Sequence, residues 1–283
     1  MAPRPEICII GRGRLGGALA LALRRAGFQT RAFGRPKNDR EAARAAAALA
    51  QAGVVLLCVP DGAIAETARS HAERFHAGQV VAHCSGALDL SPLAPARAAH
   101  LGSLHPLCAV PSPRASLTGA SAAVCGDTKA SRALRRLARA AGMKPFDLPV
   151  EDRALYHAAA VLASNGLVGL AAQAADLLCR CGLEEHSALE ALLPLMRSAL
   201  CGLEANRLPG ALTGPIARGD SEVVRAHLDA LSSPADARTL VLYRALGAPL
   251  LALSQRLGRA SPDQVRDIAA ALARARSRGG RGR

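Results

Sequence analysis

Short apolar runs alternate with Ala- and Arg-rich stretches along the first half of the chain. The runs have the length of buried strands, and the stretches after the first four of them have room for helices or long loops. This alternation predicts a parallel sheet covered on both faces, and therefore an α/β domain over residues 1–150. The strand candidates are Ile7–Ile10, Thr30–Phe33, Val54–Val59, Val80–Cys84 and Ala122–Cys125, followed by a short strand at Lys144–Leu148.

The pattern changes after residue 150. Apolar residues recur at helical spacing over 153–181, 184–204, 219–232 and 234–257, with little β-branched enrichment. Because Glu151 and Asp152 suit the first turn of a helix, we place the boundary near Pro149–Asp152. The second half is thus predicted to be an all-α domain over residues 151–271. Residues 272–283 are rich in Arg and Gly, and this composition predicts a disordered basic tail.

Composition narrows the classes of protein that the chain can represent. The 283 residues carry a net charge of +14, which makes nucleic acid, acidic membranes and anionic ligands candidate partners. Aromatic residues make up only 2%, so stacking platforms for bases are poorly supplied, and no nucleic-acid-binding motif is recognisable. Eight cysteines are scattered without paired C-x-x-C spacing, so we expect small buried thiols and no metal site.

Neither a secretory signal nor a membrane span is expected. Arginines interrupt the apolar N-terminal stretch, and polar residues break the most apolar later stretches, near 161–178 and 239–254. The chain is therefore expected to be a cytoplasmic protein without membrane association.

A glycine-rich segment follows the first strand candidate directly. It reads Gly11-Arg12-Gly13-Arg14-Leu15-Gly16 and opens a helix-like stretch. In such a strand–turn–helix context the first Gly makes the turn, the second lets the backbone approach a pyrophosphate, and the third permits close helix packing. The free N–H groups of the helix then bind the anion. The segment predicts a Rossmann-type dinucleotide site.

The end of the second strand indicates which dinucleotide binds. An acidic residue there would bind the ribose hydroxyl of NAD, but none is present. The segment instead contains Gly34, Arg35 and Lys37, and Arg35 is best placed to pair with a 2′-phosphate. We predict NADP(H) over NAD(H), the alternative being that these cations only solvate a loop. Arg12 and Arg14 are further candidates for contacts with the cofactor phosphates.

Several other segments carry a family resemblance. They are Val59-Pro60-Asp61, His83-Cys84-Ser85-Gly86, Gly102-Ser103-Leu104-His105-Pro106-Leu107, Tyr156-His157-Ala158-Ala159-Ala160 leading to Ser164-Asn165, and the stretch from Leu212 to Asp220 followed by His227-Leu228. With the glycine segment, they make residues 5–258 resemble bacterial oxidoreductases that join a Rossmann-like NADP-binding domain to a helical C-terminal domain of unknown function. These are similar in plan to pyrroline-5-carboxylate reductases, ketopantoate reductases and β-hydroxyacid dehydrogenases.

The resemblance implies a hydride-transfer enzyme, with one departure. β-Hydroxyacid dehydrogenases carry a catalytic Lys and an Asn on the first helix after the nucleotide domain, whereas this chain has no Lys beyond Lys144. The comparable helix offers His157, Ser164 and Asn165. On a continuous helix Ser164 lies about two turns beyond His157 on nearly the same face, which predicts a polar stripe facing a cofactor cleft.

Two histidines are candidate proton donors, because imidazole titrates near neutral pH. His105 follows an apolar stretch and is expected in a strand-end loop, and His157 lies on the helix; either is also explained as a structural histidine. Ser85 either positions the cofactor or substrate or only forms a turn. The remaining candidates for the cofactor are Val59 and Pro60. For the substrate they are Thr213, from the resemblance, and Arg218, whose guanidinium suits a carboxylate; helix capping and a local ion pair are the alternatives.

These observations together predict an NADP(H)-dependent reductase or dehydrogenase. Its substrate is expected to be a small carbonyl, imine or hydroxy acid, and the resemblance implies a homodimer formed through the helical domain. A non-catalytic NADP(H)-sensing protein is the first alternative, since it would share the glycine segment. A nucleic-acid-binding module is the second alternative, and it rests on charge alone.

Overall fold

The computed structural model describes residues 5–273 and divides into two compact units, Met1–Gly166 and Leu167–Arg283. The predicted boundary near Pro149–Asp152 coincides with the change from strands to helices, but the first compact unit continues to Gly166. The first unit therefore contains the whole sheet and also one helix of the predicted helical half.

Within the described residues, one sheet of seven strands has the order β2-β1-β3-β4-β5-β6-β7. The strands are β1 Ile7–Ile10, β2 Thr30–Phe33, β3 Val54–Leu57, β4 Val80–His83, β5 His100–Leu107, β6 Ser121–Gly126 and β7 Lys144–Asp147. Neighbouring strands are parallel except β5 and β6, which are antiparallel. The chain passes from β1 to β2 on one side and to β3 on the other, so the strand order reverses between β1 and β3. Ligands of open α/β sheets bind at such a switch point.

The predicted Rossmann-type α/β fold is confirmed, with one strand missed. Strands β1 and β2 have the predicted bounds, while β3 and β4 end one or two residues earlier than predicted. Strand β5 was not among the predicted strands. Its range includes His105, so the expectation that this histidine lies in a loop after a strand is wrong.

Two apolar layers cover the two faces of the sheet. In β1, Ile7 and Ile9 face the layer that contains helices α1 (Arg14–Arg25) and α4 (Thr128–Ala140). Cys8 and Ile10 face the layer that contains α2 (Asp39–Gln51) and α3 (Ile64–Ser70). All four side chains of β1 are buried, because alternate residues of a strand point to opposite faces and both faces are covered.

The rest of the described chain is helical, as predicted. The helices are α5 Arg153–Ala163, α6 Asn165–Arg180, α7 Glu185–Gly210, α8 Gly214–Arg218, α9 Ser221–Ala230, α10 Ala237–Leu257 and α11 Pro262–Ala273. Arg207 and Leu208 have non-helical backbone angles and interrupt α7. In the second unit, Ile216, Val224 and Ile268 belong to one apolar core.

The predicted disordered tail begins too early in the sequence. Leu272 and Ala273 lie in α11, and Leu272 is buried in the core of the second unit. The remainder of the predicted tail lies outside the residues that the structure describes.

Candidate functional site

The glycine-rich segment forms a tight turn between β1 and α1. Gly11 has φ of +103°, and a Cβ at this position would lie 2.3 Å from the carbonyl oxygen of Cys58. A Cβ at Gly16 would lie 1.9 Å from the carbonyl oxygen of Gly11. Any side chain at either position would therefore collide with backbone. These two glycines are explained by the protein's own packing.

Gly13 differs, because neither its backbone angles nor the packing around it requires a glycine at this position. It occupies the N-cap position of α1 with φ of −75°, which any residue adopts, and apart from its chain neighbours no heavy atom of the described residues lies within 4 Å of where its Cβ would be. No side chain caps this helix, and its first turn contains no acidic residue. The free N–H groups of α1 therefore face an open surface that suits an anion.

The other side chains of the loop divide between solvent and core. Arg12 and Arg14 are exposed beside the open end of α1, whereas Leu15 packs against the first apolar layer. Two cations and a free helix terminus thus lie together, as a dinucleotide pyrophosphate requires.

The segment after β2 lies next to this loop. A Cβ at Gly34 would be 3.7 Å from the Cβ of Arg12. Arg31 is paired with Glu6 at 3.5 Å, but no carboxylate in the described chain forms an ion pair with the exposed Arg35. Arg35 therefore remains available to an external phosphate.

The ends of β3 and β4 lie on the other side of the switch point. Val59 packs against the second apolar layer, and Pro60 is exposed. The buried Ser85 hydroxyl donates to Asp61 Oδ2 at 2.8 Å and accepts N–H bonds from Ala87 and Leu88 at 3.1 Å each. Ser85 thus holds the turn after β4 and links it to the β3 end. A contact of its hydroxyl with a cofactor stays a prediction.

His105 forms a hydrogen-bonded pair with Tyr156, which comes from α5. The His105 Nδ1 and the Tyr156 hydroxyl are 2.6 Å apart, and the two rings meet edge to face. The imidazole lies against Gly86, where a Cβ would be 2.8 Å from its Cε1 atom. Because β5 runs parallel to β4, with Ser103 opposite His83, His105 lies at the edge of the sheet where β4 ends. This is the edge to which the glycine loop belongs.

Burial sets the protonation of this pair. Burial, followed by the charges of His157 and Arg153, lowers the pKa of His105 to about 4. Burial also raises the pKa of Tyr156 to about 12. Both rings are therefore neutral near pH 7, and their hydrogen bond has two arrangements: the tyrosine hydroxyl donates to Nδ1 with the imidazole proton on Nε2, or Nδ1–H donates to the tyrosine oxygen. Within the described chain no protein group pairs with Nε2.

Arg153 is a buried charge that influences the pKa of both members of this pair. Its side chain is only 2% exposed, and its guanidinium donates to the Ser85 carbonyl oxygen at 2.9 Å and to Cys125 Sγ at 3.4 Å. Its Nε has no partner among the described residues. A buried cation without a carboxylate partner favours negative charge nearby. It also counters the burial effect on Tyr156, whose pKa it lowers.

The sequence did not single out Tyr156 or Arg153 as site residues. Both lie beside the predicted His157, at the start of α5. The available signal was the helical spacing of Arg153 and Tyr156, which places them on one face three residues apart.

The predicted polar stripe on α5 is only partly assembled. His157 is half-buried and near enough to influence the pKa of His105. Ser164 lies between α5 and α6, where the helical hydrogen bonding is interrupted at a single residue, and Asn165 begins α6. Both side chains are exposed, and no hydrogen bond joins them to the His105 pair.

Thr213 and Arg218 belong to the second unit. Thr213 is the exposed N-cap residue of α8 and makes no side-chain capping bond. Arg218, the last residue of α8, pairs with Asp220 through Nε at 3.0 Å and through its terminal nitrogen at 2.9 Å. The local ion pair considered as the alternative therefore forms. Roles toward a substrate stay predictions for both residues.

No group of three or more His, Cys, Asp or Glu side chains in the described chain could hold a metal ion.

Comparisons with known proteins match the two halves separately. Residues 1–111 match the family of Rossmann-like domains, and residues 120–249 match a domain of unknown function, DUF2520. The second match begins at β6, so it includes the end of the sheet as well as helices. No protein with a curated function matches the chain.

Solved structures with a similar fold cover nearly the whole chain. A Bacteroides fragilis protein assigned as an NADP oxidoreductase is 23% identical, with a TM-score of 0.65 over 94% of this chain and 98% of its own. A Thermotoga maritima protein is 23% identical, with a TM-score of 0.68 over 89% of this chain and 100% of its own. Plasmodium falciparum pyrroline carboxylate reductase, solved with NADP bound, is 11% identical, with a TM-score of 0.56 over 95% of this chain and 98% of its own. At these identities the likeness concerns the fold.

Proposed function

Because the chain joins a Rossmann-like domain to a DUF2520 domain, we propose that it is an NADP(H)-dependent oxidoreductase acting on a small carbonyl, imine or hydroxy acid. The main support is that the open glycine loop and a neutral histidine–tyrosine pair lie at the same edge of one sheet. The first feature suits a dinucleotide and the second suits proton transfer, and hydride-transfer enzymes require both.

The residues around the loop fit NADP(H). Gly13 would let backbone approach the pyrophosphate, and the amides that begin α1, together with Arg12 and Arg14, would bind its charge. Arg35 would pair with the 2′-phosphate, and Val59 and Pro60 would line the neighbouring strand end. The bound cofactor supplies the hydride from its nicotinamide ring. The NADP named with two of the fold relatives supports this choice.

His105 is the proposed proton donor. Its Nε2–H would donate to the oxygen or nitrogen of a substrate C=O or C=N bond as that atom gains negative charge. In this role the Tyr156 hydroxyl, 2.6 Å from Nδ1, is the proposed donor of their hydrogen bond, which leaves the imidazole proton on Nε2. When Nε2 gives up its proton, the tyrosine proton can pass to Nδ1. The buried charge of Arg153 then stabilises the phenolate.

The other predicted residues have supporting roles. We propose that His157 lies at the entrance to the site, beside Tyr156. Ser85 positions the turn after β4. We retain Ser164, Asn165, Thr213 and Arg218 as candidates for substrate contacts.

Transfer of deuterium tests the proposed reaction. The protein would be incubated with NADPH deuterated at the transferring nicotinamide position and with a panel of small oxo acids and cyclic imines. We expect deuterium in at least one reduced product, as detected by mass spectrometry. Tight NADPH binding without transfer to any member of the panel would instead favour the NADP(H)-sensing alternative.

The choice of NADP(H) depends on Arg35. Replacing Arg35 by Ala should raise the Kd for NADPH about 10- to 100-fold, the usual loss for a hydrogen bond to a charged group. The Kd for NADH should stay the same, because NADH lacks the 2′-phosphate.

Arg31→Ala is the matched control for this measurement by calorimetry. Arg31 lies four residues earlier, but its guanidinium is already paired with Glu6. We expect little change in NADPH affinity for this variant. An equal loss in both variants would show only a general effect of charge and would contradict the assignment of Arg35.

Exposed apolar side chains on the helices support the predicted homodimer. Leu155, Leu162, Val168 and Leu195 are 76%, 75%, 70% and 67% exposed. The stretch Arg153–Arg180 also has the length and composition to cross a membrane, despite its polar residues, and is almost entirely exposed. Exposed apolar side chains of this kind, on α5 in the first unit and on α6 and α7 in the second, are typical of residues that contact a partner. We propose that a second copy of the chain covers them in a cytoplasmic homodimer.

Charge at these exposed apolar positions should separate the two copies. Leu162→Glu combined with Val168→Glu should convert a dimer to a monomer in sedimentation velocity, because burial of carboxylates opposes association. Val223→Glu is the control, since Val223 is also exposed but lies on α9. A wild-type monomer that associates only with detergent micelles or vesicles would contradict the homodimer and favour a membrane contact.

A further inference from the structure

Two cysteines meet at the ends of neighbouring parallel strands. Cys58 follows β3 and Cys84 follows β4, and their sulfur atoms are 3.5 Å apart, with the Cys58 thiol donating to Cys84. Neither has a disulfide bond. Cys84 is a small buried thiol, as expected, while Cys58 is half-buried. The two meet because the register that places Leu57 opposite His83 also brings the next residues of the two strands together.

The pair lies directly beneath the glycine loop. The Cys58 N–H donates to the Ile10 carbonyl oxygen at 2.7 Å, and the Cys58 carbonyl oxygen is the atom that a Cβ at Gly11 would strike. The Cys58 Cβ would be 3.1 Å from a Cβ at Gly16. Cys58 therefore packs against both glycines that shape the loop, so a displacement of its side chain reaches the loop directly.

We propose that Cys58 and Cys84 are a modification site: a low-molecular-weight disulfide oxidises them to a reversible intramolecular disulfide that distorts the glycine loop. The half-buried Cys58 attacks the external disulfide as a thiolate and releases one thiol. The buried Cys84 then attacks the mixed disulfide and releases the second thiol. The two protein thiols lose two electrons and two protons, and the external disulfide gains them as two thiols.

Closure of the bond requires movement. A disulfide holds its sulfur atoms about 2.05 Å apart, so these two must approach by roughly 1.5 Å. Because the backbone of Cys58 is tied to β1, the approach shifts the side chain that packs beside Gly16 and draws the two strand ends together. The hydrogen bond to Cys84, followed by burial, raises the pKa of the Cys58 thiol, so oxidation should be slow at neutral pH and faster at alkaline pH.

The consequence for the cofactor rests on the proposed function. If the loop binds NADPH, oxidation should raise the Kd for NADPH about tenfold or more, a change of about 1.4 kcal/mol. Bound NADPH should in turn slow formation of the disulfide, because the two equilibria are linked.

The test treats the purified full-length protein with oxidised glutathione and maps disulfides by peptide mass spectrometry. We expect a Cys58–Cys84 peptide pair that dithiothreitol removes, and faster hydrogen exchange of the amides in residues 11–16 in the oxidised form. Calorimetry then compares NADPH affinity in the two forms. Mapping and exchange do not depend on cofactor binding, so failure of the proposed function would leave this inference testable.

Variants separate the pair from the other thiols. Cys58→Ser and Cys84→Ser should each abolish the response of the loop to oxidant. Cys108→Ser removes an exposed thiol and should leave the response intact. The inference is overturned if oxidised protein contains no Cys58–Cys84 bond, or if the bond forms while loop exchange stays that of the reduced protein.

Discussion

Replacing His105 by Gln is expected to lower kcat about 100- to 10,000-fold, the usual contribution of a positioned general acid. The amide has the size of the imidazole and still packs beside Gly86, but it cannot release a proton. NADPH affinity should stay near the wild-type value, because the glycine loop is formed by other residues. Steady-state kinetics with the best substrate from the deuterium experiment, together with calorimetry, measure the two effects.

His76→Gln is the control for this substitution. His76 is exposed and lies before β4, so its variant should have wild-type kinetics. Tyr156→Phe should lower kcat less than His105→Gln and should raise the pKa of His105, because the hydroxyl that donates to Nδ1 stabilises the neutral ring. A His105→Gln enzyme with unchanged kcat would contradict the role of His105.

The His105→Gln variant should also differ from the wild type in how its stability depends on pH. The pKa of His105 is lowered to about 4 in the folded chain, from the ordinary value of 6.5. The folded state thus resists protonation, so the associated stability is present above the unfolded pKa and is lost as pH falls toward the folded pKa. A shift of this size corresponds to a loss on the order of 3 kcal/mol. Urea unfolding at neutral and mildly acidic pH should show a smaller loss for His105→Gln than for the wild type.

Replacing Gly13 by Val should weaken NADPH binding about 100-fold or more, a change of at least about 2.7 kcal/mol. The valine side chain would occupy the surface at which backbone is proposed to approach the pyrophosphate. The fold should tolerate it, because Gly13 has an ordinary φ and no protein atom lies within 4 Å of its Cβ position. Calorimetry and thermal unfolding separate these effects.

Gly11→Ala provides the contrast. Its Cβ would strike the Cys58 carbonyl oxygen, and its φ is positive, so this variant should lose thermal stability as well as cofactor affinity. If Gly13→Val bound NADPH as the wild type does, the loop would not be the cofactor site.

The local pattern predicted most of the sheet. Strands β1 and β2 are short and each is followed by a glycine, and their predicted bounds match the structure to the residue. Strand β5 was missed because His100, Gly102 and Pro106 interrupt any strand pattern. Its place in the sheet comes from pairing with β4 and β6, and Pro is rare in such a central strand.

Only the part of the candidate site that consists of residues close together in the sequence could be predicted. The glycine loop lies within a few residues of sequence, and its conformation follows from the residue types. The His105–Tyr156 contact joins residues 51 positions apart, and Arg153 reaches Ser85 across 68 positions. No periodicity specifies which side chain of α5 meets β5. The Cys58–Cys84 contact likewise depends on strand register, which the sequence alone left open.

A calorimetric titration of the wild-type protein with NADPH and with NADH tests the central claim most directly. The proposal predicts saturable binding of NADPH with a Kd at least about tenfold lower than that for NADH, since only NADPH offers a 2′-phosphate to Arg35. Absence of binding by either dinucleotide to the folded protein would contradict the claim that this chain is an NADP(H)-dependent oxidoreductase.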